Sequence, residues 1–282
     1  MAKIIALVDG SVYSESVCDY AAWVALRKEA SVEVMHVLGR RDEAKSNLSG
    51  NIGLGARTKL MDELADLDAQ KAKLAQQRGR AILEDAEARL RSDGVEHVIT
   101  RLRHGDLIEE LLLAEKDADL VVIGKRGEAA DFATLHLGSN LERVVRASRI
   151  PVLVTSRAFS EPRNFLLAFD GGKSAMKAVE HVAKSKVFAG LSAQLLTVDE
   201  PTTIKNRALE GAAATLKSAG YEVESTVIKG DPEAVISDRC KSGHLDMLVM
   251  GAYGHSRIRS LIIGSTTTEM VRLCQIPVLL FR

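Results

Sequence analysis

A chain of 282 residues has room for two domains of ordinary size, and an apolar share of 46% with only 4% aromatic residues points to cores of Val, Ile, Leu and Ala. Lysine plus arginine equals aspartate plus glutamate at 38 each, which argues against the basic surface of a non-specific nucleic-acid binder, a local patch aside. Cys18, Cys240 and Cys274 lack metal-ligand spacing and read as reduced thiols, and no apolar run nears the roughly 18 residues of a membrane span or forms a leader, so a cytoplasmic protein with no membrane partner is expected.

Lys3 to Val8 reads as a first strand ending in Asp9-Gly10-Ser11, and residues 14–29 as an amphipathic helix with Ser14 as its cap. Ser31 to Val37 is the second strand. Residues 39–57 read as a mobile loop, in which Gly50, Gly53 and Gly55 stand in the wrong order for a dinucleotide fingerprint. Residues 58–93, dense in Ala, Leu, Lys, Glu and Gln, predict one long or interrupted helix stopped by Gly94. Val95 to Leu102 follows as a third strand. Gly105-Asp106 opens a helix that ends before Ala118-Asp119, after which a fourth strand runs into Gly124. Pro151 leads a fifth strand, and the polar residues 156–163 form a linker.

From Asn164 the same order repeats. Phe165 to Phe169 is a strand ending in Asp170-Gly171-Gly172, residues 174–188 a helix, Ser192 to Val198 a strand, and residues 203–219 a helix stopped by Gly220; Gly230-Asp231-Pro232 matches Gly105-Asp106-Leu107. The copies are offset by 161 at the aspartates and 126 at Gly94 and Gly220, so about 35 extra residues follow the second strand of the first copy. Alternating strands and helices predict an α/β protein of two tandem domains, residues 1–157 and 158–282. Each is expected to be an open parallel, Rossmann-like sheet with helices on both faces and a ligand crevice at the carboxyl ends of its strands.

The repeat includes a candidate phosphate cradle. Val249-Met250-Gly251-Ala252-Tyr253-Gly254 is followed, after nine residues, by Gly264-Ser265-Thr266-Thr267; Val121-Val122-Ile123-Gly124-Lys125-Arg126-Gly127 is followed, after ten, by Gly138-Ser139-Asn140. Glycines let the backbone approach a ligand, and the unpaired N–H groups of a helix start, with the Ser265, Thr266 and Thr267 hydroxyls, suit an anion. Gly264-Ser265 also fits an ordinary helix start, because Thr266 and Glu269 have capping-box spacing. No P-loop, nucleophile elbow or HExxH is present, so dedicated catalysis is not written here. Asp9 and Asp170 lack the acidic neighbours that Mg²⁺ chemistry wants, and His36 and His255, nearest the crevices, lack metal-ligand spacing.

The second copy fits G-x2-G-x9-G-[ST] after a strand, with an Asp ending its first strand, and so resembles the universal stress protein family, specifically its tandem members, over essentially the whole length. The resemblance implies an adenine nucleotide alpha hydrolase-like fold and a bound ATP or AMP, with Mg²⁺ as an optional companion. It would place adenine near the first-strand Asp and the end of strand two, with the phosphates on the glycine loop. Carried onto the second copy, it assigns Asp170 and Val198 to the base and ribose, and Gly251, Gly254, Gly264, Ser265 and Thr266 to the phosphates. The first copy offers Asp9, Val37, Gly124, Gly127, Gly138 and Ser139 in the same places. Its longer loop carries Glu128 and Asp131, which oppose a phosphate chain; Lys125 and Arg126, between the first two glycines, could offset them. The second site is therefore the better one. A stress-response sensor or regulator with an unknown protein partner is expected; a scaffold with empty crevices and a slow ATPase are the alternatives. Family members imply two-fold pairing of domains, here within the chain through the Pro151 and Pro277 strands, with a homodimer left open.

Overall fold

The computed structural model describes residues 1–39, 54–127, 139–242, 245–252 and 265–282. The first half contains β1 (Lys3–Leu7), α1 (Tyr13–Lys28), β2 (Ser31–Leu38), α2 (Leu54–Ser92), β3 (Val98–His104), α3 (Leu107–Ala114), β4 (Leu120–Gly124), α4 (Ser139–Ala147) and β5 (Val152–Thr155). The second half repeats it as β6 (Asn164–Ala168), α5 (Lys173–Lys184), β7 (Ser192–Val198), α6 (Thr203–Ser218), β8 (Val223–Ile228), α7 (Pro232–Lys241), β9 (Leu248–Gly251), α8 (Ser265–Leu273) and β10 (Val278–Phe281).

The ten strands among the described residues form one sheet in the order β3-β2-β1-β4-β5-β10-β9-β6-β7-β8. Neighbours within each half are parallel, and the halves meet where β5 and β10 pair antiparallel, with Leu153 opposite Leu279. Strand alternation explains the two-layered core: Ile4, Ala6 and Val8 enter one apolar layer, Ile5 and Leu7 the other. Each layer crosses the junction, one joining Leu153 to Phe165 and Leu279, the other Val152 to Leu166 and Leu280. The inner strands β1, β4, β5, β9 and β10, buried on both faces, read as aliphatic runs.

Several boundaries differ from the sequence reading. Helix α1 begins at Tyr13, and the Ser14 hydroxyl accepts from the Asp9 and Gly10 N–H groups (3.2 and 3.0 Å) instead of capping the helix. Residues Leu54 to Arg57, read as loop, belong to α2, which runs unbroken for 39 residues; residues 40–53, with Gly50 and Gly53, lie outside the described ones. The third strand starts at Val98 because Val95 is spent closing the end of α2, its N–H donating to the Leu90 carbonyl. The helix expected over 174–188 breaks at Ser185, whose hydroxyl accepts from the Val187 N–H and starts a separate 3-10 turn at Lys186–Phe188. No helix among the described residues is long and apolar enough to cross a membrane.

Candidate functional site

Each half builds its crevice from the same turn. Beyond β1 and β6 the Asp9 and Asp170 Oδ1 atoms accept from the backbone N–H two residues on, Ser11 at 3.0 Å and Gly172 at 2.7 Å. The intervening Gly10 and Gly171 sit at φ +77° and +76°, where a side chain would be strained. A second tie fixes the neighbouring strand: His36 Nδ1 lies 2.8 Å from the Val8 carbonyl, and Thr197 Oγ1 donates to the Phe169 carbonyl at 2.8 Å. Unlike side chains thus make one contact, and they leave Val37 and Val198, each the next residue, half-buried on the same rim as the aspartates. Asp9 is half-buried and Asp170 exposed.

The described motif glycines have packing reasons of their own. A Cβ on Gly124 would lie 2.6 Å from Tyr13 Cβ, and one on Gly251 would lie 2.8 Å from Ser174 Cβ and 3.2 Å from the Ala175 backbone nitrogen. Both residues let the first turn of α1 or α5 pack against a strand end. A Cβ on Gly127 would fall 2.7 Å from Asp9 Oδ2, so the first glycine loop folds back onto the strand-one carboxylate. The structure therefore brings Asp9, Gly124 and Gly127 together on one rim, and Asp170 and Gly251 on the other, β6 and β9 being paired through Ala168 and Met250. Gly138, Gly254 and Gly264, like Glu128, Asp131 and His255, lie outside the described residues.

Helix α8 is held at the second rim by Thr267. Its Oγ1 is shared between the Ala252 and Gly251 carbonyls at 3.2 and 3.4 Å, and the residue is 3% exposed. This corrects the sequence reading, which counted Thr267 among the anion donors: its hydroxyl anchors the helix to the end of β9. Ser265 stays exposed and Thr266 half-exposed in the first turn. The expected capping box is not formed, since Thr266 already lies inside the helix and Glu269 pairs with Arg272. Ser139 opens α4 at the corresponding place, and Leu141, buried, stands where Thr267 stands in α8.

Lys125 does not lean over the first crevice. Its Nζ donates to the Cys274 carbonyl at 2.7 Å, just past the carboxyl end of α8, and burial pushes the ammonium down to about 8. The mirror contact comes from Arg282, whose Nη1 donates to the carbonyls of Arg146 (3.1 Å), Ala147 and Ser148 (3.4 Å each), the carboxyl end of α4. Each half therefore caps the other's motif helix at its negative end. No sequence signal announced these contacts, which join residues 149 and 136 positions apart. Nor did one announce α2 at the first crevice, where Ile82 would meet a Cβ on Gly10 at 2.7 Å and His36 one on Gly79 at 3.0 Å.

Paired strand ends, a bent Asp turn and a helix start at each rim define a tandem α/β protein of two Rossmann-like halves. The profile described as "Universal stress protein family" matches residues 1–156 and 181–282. Universal stress protein Slr1230 of Synechocystis is 38% identical over 289 residues, covering 100% of both chains. A universal stress protein of Mycolicibacterium smegmatis is 22% identical over 99% of this chain and 96% of its own. Among solved structures, a universal stress protein from Archaeoglobus fulgidus superposes with a TM-score of 0.73 at 21% identity, covering 99% of this chain and 98% of that one. The chain belongs to the universal stress protein family.

Proposed function

We propose that the chain binds an adenine nucleotide, ATP or AMP, in the second-half crevice in preference to the first, and acts as a regulator in the stress response. The observation that carries this reading is the anchoring of α8. Thr267 ties the helix to the carbonyls of Gly251 and Ala252, which sets the N–H groups and hydroxyls of Ser265 and Thr266 at the end of β9, beside the rim that bears Asp170 and Val198. Unpaired N–H groups and the positive end of a helix dipole favour phosphate, while the half-buried Val198 offers an apolar edge to a base. Preference for the second crevice is supported at Lys125, one of the two cations that would offset Glu128 and Asp131, because its ammonium is engaged at Cys274. Bound nucleotide would order the glycine loop and shift the population of surfaces shown to a protein partner. An empty-crevice scaffold draws on the packing roles of Gly124, Gly127 and Gly251.

The test is mass spectrometry of ligand released from gently purified full-length chain, with calorimetric titration of ATP and AMP into wild type and Gly254→Val. Released adenine nucleotide and a binding heat that Gly254→Val abolishes are expected, since a β-branched side chain stiffens the loop and fills the space the phosphates approach. No released nucleotide and no binding heat in the wild type would establish the scaffold instead.

A further inference from the structure

Helix α2 extends well past what its fold position requires. Its counterpart α6 covers the same face of the second half with 16 residues, against 39 in α2. The side chains of α2 that pack on the sheet, Leu83, Ala86 and Leu90, lie in its last part; from Leu60 to Arg78 none is buried. That earlier part is not polar all round. Leu60, Leu64, Leu67, Lys71 and Leu74 follow at spacings of four, three, four and three, the seam of a coiled coil, with Leu67 50% and Leu74 66% exposed and Met61 beside them 56% exposed. At about 100° per residue this row is turned roughly a third of a circle from the sheet-facing row, so packing on the sheet leaves Leu67, Lys71 and Leu74 exposed and Leu60 and Leu64 half-buried.

The charges say what fits it. Residues 60–69 carry Asp62, Glu63, Asp66 and Asp68 and no cation, whereas residues 70–80 carry Lys71, Lys73, Arg78 and Arg80 and no anion. Within α2 the segment 60–80, preceded by Arg57 and Lys59, is thus acidic then basic, and such a segment is complementary to itself run backwards and opposed to itself run in parallel. We infer that a second copy of this chain covers the row, the two α2 helices packing antiparallel about a two-fold axis near Leu67. Leu60 of one chain then lies against Leu74 of the other, and Glu63 near Lys71. The chain's own residues 40–53 are poorly suited to the role, with Leu48 and Ile52 as their only large aliphatic side chains. Residues 128–138, which include Phe132, Leu135 and Leu137, are the competing occupant.

Sedimentation velocity on the full chain should give a dimer that Leu67→Glu combined with Leu74→Glu converts to a folded monomer. Lys71→Glu with Lys73→Glu, and separately Asp62→Lys with Glu63→Lys, should each raise the dissociation constant at least about tenfold, and an equimolar mixture of the two variants should restore association. The native cysteines are buried, so Leu67→Cys should form an interchain disulfide with diamide. A monomeric wild type, a dimer that survives the double glutamate variant, or amides of residues 60–74 protected from exchange in the monomer would each overturn the inference, the last in favour of residues 128–138.

Discussion

At Gly124 and Gly251 one missing carbon sets how closely a helix start approaches a strand end. Gly124→Ala and Gly251→Ala should each cost about 1–3 kcal/mol in chemical denaturation, with or without nucleotide, because the added Cβ meets Tyr13 Cβ or the Ser174–Ala175 backbone. Gly211→Ala, in helical space with no atom within 4 Å, should instead be neutral or stabilising by up to about 1 kcal/mol. An equal loss at all three would refute the packing account. Lys125 makes a pH prediction. Burial lowers its ammonium from an ordinary 10.5 to about 8. Between those values the unfolded chain holds a proton that the folded chain releases, so this group's contribution to stability rises with pH from about 8 to about 10.5, its penalty being complete below 8. The difference in unfolding free energy between wild type and Lys125→Met should move in favour of wild type across that window, and a flat difference would contradict it. The sequence offered Lys125 as a cation to offset Glu128 and Asp131; its partner lies 149 residues away, beyond the reach of local pattern.

Among the elements, those carried by period and punctuation were legible: aliphatic strand runs, the stops at Gly94 and Gly220, and the Asp turns that open both crevices. What escaped was decided by contacts across elements. Three glycines at 50, 53 and 55 suggested a loop, yet α2 starts at Leu54 and takes in Gly55, whose cost of about 1 kcal/mol the long run of helix formers offsets. Likewise Thr267 is one hydroxyl among four in sequence, Ser265 to Thr268, and its burial against Ala252 singles it out. Thr267→Val should therefore lower stability by about 1–2 kcal/mol, the Gly251 and Ala252 carbonyls losing their donor, in thermal or urea unfolding. Unchanged stability would return that hydroxyl to the list of ligand contacts.

The ten strands make one sheet whose least local contact, β5 with β10, lies at its centre. The pairing through the Pro-led strands was expected from family resemblance; the two continuous apolar layers that cross it were not, because a single sequence shows periodicity and not which distant faces meet. Residues 1–157 expressed alone would bare the β5 edge together with both layers, so the fragment should self-associate or aggregate, by light scattering, where the full chain does not. A monodisperse monomeric fragment would show that the junction contributes little to keeping each half soluble.

Because β5 and β10 run in opposite directions, the carboxyl ends of the two sets of strands face opposite edges of the sheet. No small ligand entering at one edge can touch the other. The motif helices nevertheless span that distance: α8 begins at the second rim and ends under Lys125 at the first, and α4 begins at the first and ends under Arg282 at the second. Each runs from edge to edge with its carboxyl end held by a residue of the opposite half. A displacement of either helix along its axis is therefore felt at both edges, like a beam whose far end rests on the opposite half.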